Sequence, residues 1–361
     1  MINNKKKLYI ILGGNMKKIL KTIFLILISI SLFSCSNSET NKMSVENSNI
    51  KTGSLNIVAT NETYKKLFEK FENETGIKTN MLSMSSGEVL SKIRAEGGKP
   101  SADLWFGGGI DAFMSAKEDN LLEQVNFNGA NNLDKNYKDK ENFYFSKGLT
   151  VVGFLFNNDL MEEEKLDYPN TWDDLIDEQY KGQIVMSNPA ISGTNYSAIN
   201  ALLQVKKDGW DFLTKLNDNV AYYGKRGSDP KNKVQAGEFP IGITYLDGTI
   251  DAILEENNLS IKYPEDGLPW VPDGVAVFKN SDNVENAKYF IEWLYNNDEN
   301  LILLAEIDKK NTIKVIKPSI KGLELSFNTN ILMKEDLTLF GSMRDEILDK
   351  FTVLMSDKAV E

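Results

Sequence analysis

Short apolar runs alternate with helical periodicities through the first part of the chain. Leu55 to Ala59 is an apolar run that stops at Thr60-Asn61, and Tyr64, Leu67, Phe68 and Phe71 then recur at helical spacing before Gly76. That order predicts a strand, a polar turn, an amphipathic helix and a glycine stop. Lys78 to Leu82 and the face Val89, Leu90 and Ile93 repeat the unit, with Ser85 and Glu88 at the spacing of a capping box. A third unit runs from Ala102 to Phe106, breaks at Gly107-Gly108-Gly109, and resumes as a helix from Asp111 through Phe113, Met114 and Ala116. Strands alternating with helices predict an α/β fold with a largely parallel sheet covered by helices.

The pattern changes after the long apolar stretch Leu149 to Asn157, where Pro169 to Leu175 reads as the opening of a new helix. Gly182 to Ser187 and Ile241 to Tyr245 read as strands of a second lobe. Between them Ser192-Gly193-Thr194 starts a helix carrying Ala198, Ile199, Ala201 and Leu202. A return crossing fits Gly274 to Phe278, and the helix Val284 to Tyr295 rejoins the first lobe. The expected organisation is residues 54–148 with 275–361 as lobe one and 149–274 as lobe two, each of ordinary domain size.

The N-terminus carries a different signal. Lys17, Lys18 and Lys21 precede the apolar run Ile23 to Ile28, and Leu32-Phe33-Ser34-Cys35 follows. This is the pattern of a signal peptide with a lipobox over residues 1–35, lipidated at Cys35. Residues 36–53 are polar and read as a flexible tether. The expected location is the cell envelope, anchored through lipid and facing the periplasm or exterior.

Cys35 is the one cysteine of the chain, and histidine is absent. Ser-His-Asp and Cys-His nucleophile systems, Cys/His zinc sites, disulfide frameworks and histidine switches therefore have no residues to be built from. The formal charge of −11 becomes −17 once the six basic residues before Cys35 leave with the leader, which excludes nucleic acid as a partner. A carboxylate-dependent enzyme such as a glycosidase is the rival class. Its candidate acids cluster as Glu162-Glu163-Glu164 and Asp173-Asp174, on what read as solvated helix faces.

Several segments occur in a consistent order: Ala102 to Gly109, Pro169 to Leu175, Tyr180-Lys181-Gly182, Asn188 to Thr194, Ala236 to Thr244 and Asn286 to Leu294. Over about Leu55 to Ile307 they resemble the extracellular solute-binding proteins of ABC importers, in the branch of ferric-iron, phosphonate, sugar-phosphate and thiamine binders. The resemblance implies a type II periplasmic-binding fold, two lobes hinged through two crossings. It further implies a monomeric binder without enzymatic activity or cofactor, whose partners are a small-molecule ligand, a permease and an ATPase.

In open α/β sheets ligands sit at the carboxyl ends of strands, where helix N-termini present unpaired amides. Asn61, Ser85, Ser86, Gly108, Gly109, Ser192, Gly193 and Thr194 occupy such places and suit a phosphate, phosphonate or carboxylate. Each is alternatively an ordinary helix cap. Tyr245 and Asp247 end a second-lobe strand, and Trp270 lies just before the return crossing. Aromatics with carboxylates suit sugar hydroxyls or an amine, although Trp270 is equally a core candidate.

In the sugar-phosphate relatives the segment matching Ile243 to Asp247 ends His-Asp, so the resemblance carries over to Asp247 alone. Ferric binders carry tandem tyrosines at that strand end; here a ferric site has Tyr245 and Asp247, while Tyr222-Tyr223 lies in another segment. For thiamine, Trp105, Tyr245 and Trp270 are the available aromatics. The expected cargo is a small anionic solute of sugar-phosphate or phosphonate type, and no resident metal is expected.

Overall fold

The computed structural model describes residues 52–325, 327–355 and 358. The leader, Cys35 and all but the last two residues of the expected tether lie outside them.

The three predicted βα units form. Strand β1 (Ser54–Ala59) leads to helix α1 (Lys65–Thr75), β2 (Lys78–Ser83) to α2 (Ser86–Ala95), and β3 (Leu104–Gly109) to α3 (Ile110–Glu118). Asn61 accepts from the Thr63 amide, Gly76 ends α1 in the left-handed region at φ 79°, and Glu88 accepts from the Ser85 amide at 2.8 Å. The sequence signals at these points are thus local hydrogen bonds that satisfy exposed helix ends. Strand β1 pairs parallel with both β2 and β3.

Two long strands join the halves of the molecule. Strand β4 (Tyr144–Asn157) pairs antiparallel through Tyr144–Val151 with β8 (Trp270–Phe278), then through Val152–Asn157 with β6 (Ile241–Tyr245) and β7 (Leu259–Lys262). The second half continues from β6 to β5 (Ile184–Ser187), which pairs parallel with a neighbouring strand at Val220–Gly224. All of β8 and all but Thr150 of β4 are buried, as suits strands covered on both faces. The result is an α/β molecule of two lobes sharing one strand path, with β4 and β8 as the crossings.

Helix α4 (Gly193–Val205) follows β5, and α5 (Gly209–Asn219) packs beside it. Two apolar clusters fill the interior. One centres on Trp105, Phe113 and Trp172, the other on Phe68, Phe71, Phe106 and Phe290. Trp105 stacks on Phe113 with ring centroids 3.9 Å apart.

Two expectations change. Pro169 to Leu175 does not open an α-helix but leads into the short 3-10 turns Asp174–Ile176 and Glu178–Tyr180. The Asp174 carboxylate accepts from the Asn170 and Thr171 amides at 2.8 and 2.9 Å, a local turn that competes with helix continuation. The tail, assigned wholly to the first lobe, reaches both. Its last helix, α6 (Arg344–Met355), sets Phe351 against Tyr223 at 5.8 Å, and Leu354 O accepts from Asn217. Arg344 at its start pairs with buried Asp111 of α3 at 2.9 Å and also meets Ala190 O of the second lobe.

Candidate functional site

One cavity of about 430 Å³ lies where the strand ends of the two lobes face each other. It collects Asn61, Ser85, Ser86, Gly108, Gly109, Ser192, Gly193, Thr194, Tyr245 and Asp247. Trp270 is not among the lining residues. It is buried in β8, donates its indole N–H to Met333 O at 2.9 Å and meets Tyr137 edge-on, so its polar atom is already used inside the protein. Trp105 is fully buried in the first core cluster and away from the cavity.

The lobes touch along one side of this space. The Gly87 amide donates to Ile191 O at 3.2 Å, and a Cβ placed on Gly87 would come within 2.2 Å of Ala190 O. A Cβ on Gly193 would stand 2.8 Å from Ser86 Oγ and 3.0 Å from the Gly109 amide nitrogen. Small residues here let the two backbones approach. Gly107 and Gly108 adopt φ of 93° and 103°, a region that L side chains rarely enter.

Two sets of groups meet in the cavity. Ser192 caps α4, and the first-turn amides of that helix have no partner within it. A Cβ on Gly227 would lie 3.2 Å from Ser192 Oγ and 3.5 Å from Thr194 Oγ1, so the segment Arg226-Gly227-Ser228 folds directly over this helix start. Arg226 and Lys231 line the cavity, and neither has a carboxylate at ion-pair distance from its side chain among the described residues. Arg226 reaches across to Ser83 Oγ at 3.5 Å. These two cations were absent from the sequence-derived candidates. The one available signal was a basic pair, Lys225-Arg226, directly after Tyr222-Tyr223-Gly224.

Tyr245, Asp247, Thr249, Thr150, Asp308 and Lys310 line the same cavity, and Lys231 Nζ lies 5.7 Å from the Tyr245 ring centroid. Asp247 accepts from the Thr249 amide at 2.9 Å. Burial pushes the Tyr245 phenol up to about 12, with the Asp247 charge adding to it. Lys310 donates to Thr150 Oγ1 at 3.0 Å and lies 3.5 Å from Asp273.

Asp308 and Lys310 belong to a buried ion network. Lys147 Nζ is 2.6 Å from Asp273 and 2.7 Å from Asp308, and sits 4.7 Å above the Tyr64 ring. Burial alone would lower the Lys147 pKa, yet the facing Asp273 and Asp308 carboxylates hold it well above the ordinary value. For Asp273, burial works upward and is outweighed by Lys147 and Lys310, leaving its carboxyl below the usual range. The second oxygen of Asp273 accepts from the Gly108 amide. Tyr222 and Tyr223 do not reach the cavity: Tyr222 stacks on Phe239, and Tyr223 donates to Asn217 at 2.8 Å.

Comparisons with known proteins agree with this arrangement. The family model described as bacterial extracellular solute-binding protein matches residues 66–317. A probable ABC transporter periplasmic-binding protein of Sinorhizobium fredii is 25% identical over 232 residues, 60% of this chain and 62% of the relative. The periplasmic binding protein AfuA of Actinobacillus pleuropneumoniae, solved with fructose 6-phosphate bound, superposes with TM-score 0.76 at 25% identity over 84% of this chain and 99% of that one. Iron-bound HitA of Pseudomonas aeruginosa superposes with TM-score 0.69 at 16% identity over 85% of this chain and 99% of that one, a likeness of fold. Among the described residues no helix is long and apolar enough to cross a membrane.

Proposed function

The chain belongs to the bacterial extracellular solute-binding protein family, and from that premise we propose that it captures a small anionic solute, of sugar-phosphate or phosphonate type, between its lobes for an ABC importer. One observation carries this reading. Arg226 and Lys231, without carboxylate partners among the described residues, line the same cavity as the N-terminus of α4. A charge-assisted hydrogen bond at such a place contributes about 1.5–3 kcal/mol, and the helix terminus adds roughly 0.3–1 kcal/mol. Tyr245, Asp247 and Asp308 of the same cavity supply acceptors and an aromatic face for hydroxyls or an amine.

Delivery of the solute to a permease powered by a partner ATPase completes the reading, with the protein held at the membrane through lipidated Cys35 as a monomer. The role is binding without catalysis: the carboxylates lining the cavity, Glu62, Asp247, Asp273 and Asp308, are engaged with Lys65, Thr249, Lys147 and Lys310 rather than set free as an acid–base pair.

Ferric iron is the second reading, resting on Tyr245 and Asp247. It is disfavoured because Tyr222 and Tyr223 lie away from the cavity and burial makes the Tyr245 phenolate harder to form. Thiamine is left with Tyr245 alone of its proposed aromatics, since Trp105 and Trp270 are buried elsewhere.

A thermal-shift screen against fructose 6-phosphate, 2-aminoethylphosphonate, ferric citrate and thiamine phosphate tests the choice. A ligand at one hundred times its dissociation constant adds about 2.7 kcal/mol to stability. Stabilisation by ferric citrate alone would replace the anionic-solute reading.

A further inference from the structure

The glycine turn Gly107-Gly108-Gly109 ends β3 and opens α3, a place where backbone amides ordinarily welcome an anion. Here the Gly108 amide is already taken, because Asp273 of the crossing strand β8 accepts its hydrogen. The strand register shifts between Asp273 and Val275, and this irregularity turns the carboxylate toward the glycine turn. Asp273 is buried, and its other oxygen faces Lys147 at 2.6 Å and Lys310 at 3.5 Å. Asp308 stands on the far side of Lys147 at 2.7 Å. Two carboxylates thus offset the two lysines, and this wall of the cavity offers an incoming anion no net attraction.

Other cations of the cavity are held differently. Neither the Arg226 nor the Lys231 side chain has a carboxylate at ion-pair distance among the described residues, although Asp229 accepts from the Arg226 backbone amide at 2.9 Å, and both line the cavity with the start of α4. Resting on the anionic-solute reading, we infer that Asp273 determines specificity by closing the glycine turn to anions, so that the cavity accepts a cargo with one anionic group and rejects a second. The rest of the cargo is then neutral or cationic and rich in donors, since Asp247 and Asp308 present acceptors to it. Like charges brought together in a low-dielectric site repel strongly enough to reduce affinity by at least about tenfold.

The test is titration calorimetry of the purified chain with fructose 6-phosphate and with fructose 1,6-bisphosphate, repeated on Asp273→Asn. The asparagine keeps an acceptor for the Gly108 amide and nearly the same shape, but removes the charge. The native protein is expected to bind the monophosphate at least about tenfold more tightly than the bisphosphate, and Asp273→Asn to narrow that ratio by about tenfold. A ratio near one in the native protein overturns the inference while leaving anion capture intact, and needs no variant to be read. Equal losses for both ligands in Asp273→Asn, with the ratio unchanged, reduce Asp273 to a structural role and also overturn it. Binding of neither phosphate removes the anionic-solute reading itself, and this inference with it.

Discussion

Lys147 Nζ stands 2.6 Å from Asp273 Oδ2, with both groups buried and each on one of the two strands that cross between the lobes. The pair ties β4 to β8 at the point where the sheet passes from one lobe to the other. Replacing Lys147 with methionine leaves Asp273 and Asp308 buried without their shared cation. The expected loss is about 3–5 kcal/mol of unfolding free energy, read from denaturant midpoints. A loss below about 1 kcal/mol, the range of an exposed pair, contradicts a buried network.

Gly87 lies against the second lobe, where an added Cβ would meet Ala190 O at 2.2 Å. Gly87→Ala therefore opposes closure without touching the interior of either lobe. Ligand affinity is expected to fall at least about tenfold, because closure strain is subtracted from binding, while the ligand-free melting temperature stays close to native. Small-angle scattering should show the variant more open in saturating ligand.

Trp270 donates to Met333 O and does not line the cavity. Trp270→Phe removes that hydrogen bond and is expected to cost about 1 kcal/mol of stability. Its ligand dissociation constant should match that of the native protein. An affinity loss without a stability loss would reassign Trp270 to the ligand.

Glu335 gives a pH dependence of definite sign. Burial raises its carboxyl from 4.5 to about 9, opposed in part by the hydrogen bond it accepts from the Trp270 amide. The folded chain keeps this proton where the unfolded chain has lost it, so this group lowers stability progressively as pH rises from about 4.5 to about 9. Glu335→Gln removes that slope. Its stability relative to the native protein should increase with pH across the window in parallel melting curves; a constant difference contradicts the assignment.

The features legible in the sequence are those fixed by local chemistry. The Ser85–Glu88 box, the Gly76 stop and the Ser192 cap each depend on residues three or four apart, and the structure forms all of them. Strand ends followed by Ser, Thr, Asn or Gly also placed most of the candidate side chains around one cavity. What was not legible depends on long-range placement. Lys147 lies more than a hundred residues along the chain from both Asp273 and Asp308, and it meets Asp273 because β4 and β8 are neighbours. Arg226 and Lys231 match no pattern in the sequence analysis, and the fold sets both on the wall of the cavity. Of the two readings open for Trp270, ligand contact and core, the structure takes the core one, its partner Met333 lying in a tail whose course the sequence pattern left open.

Titration calorimetry of the native chain and of the double variant Arg226→Ala/Lys231→Ala with fructose 6-phosphate tests the central claim most directly. Saturable binding is expected in the native chain, falling at least about tenfold when the two cations are removed. Equal affinity in both proteins, or no binding in the native chain, contradicts capture of an anion by Arg226 and Lys231.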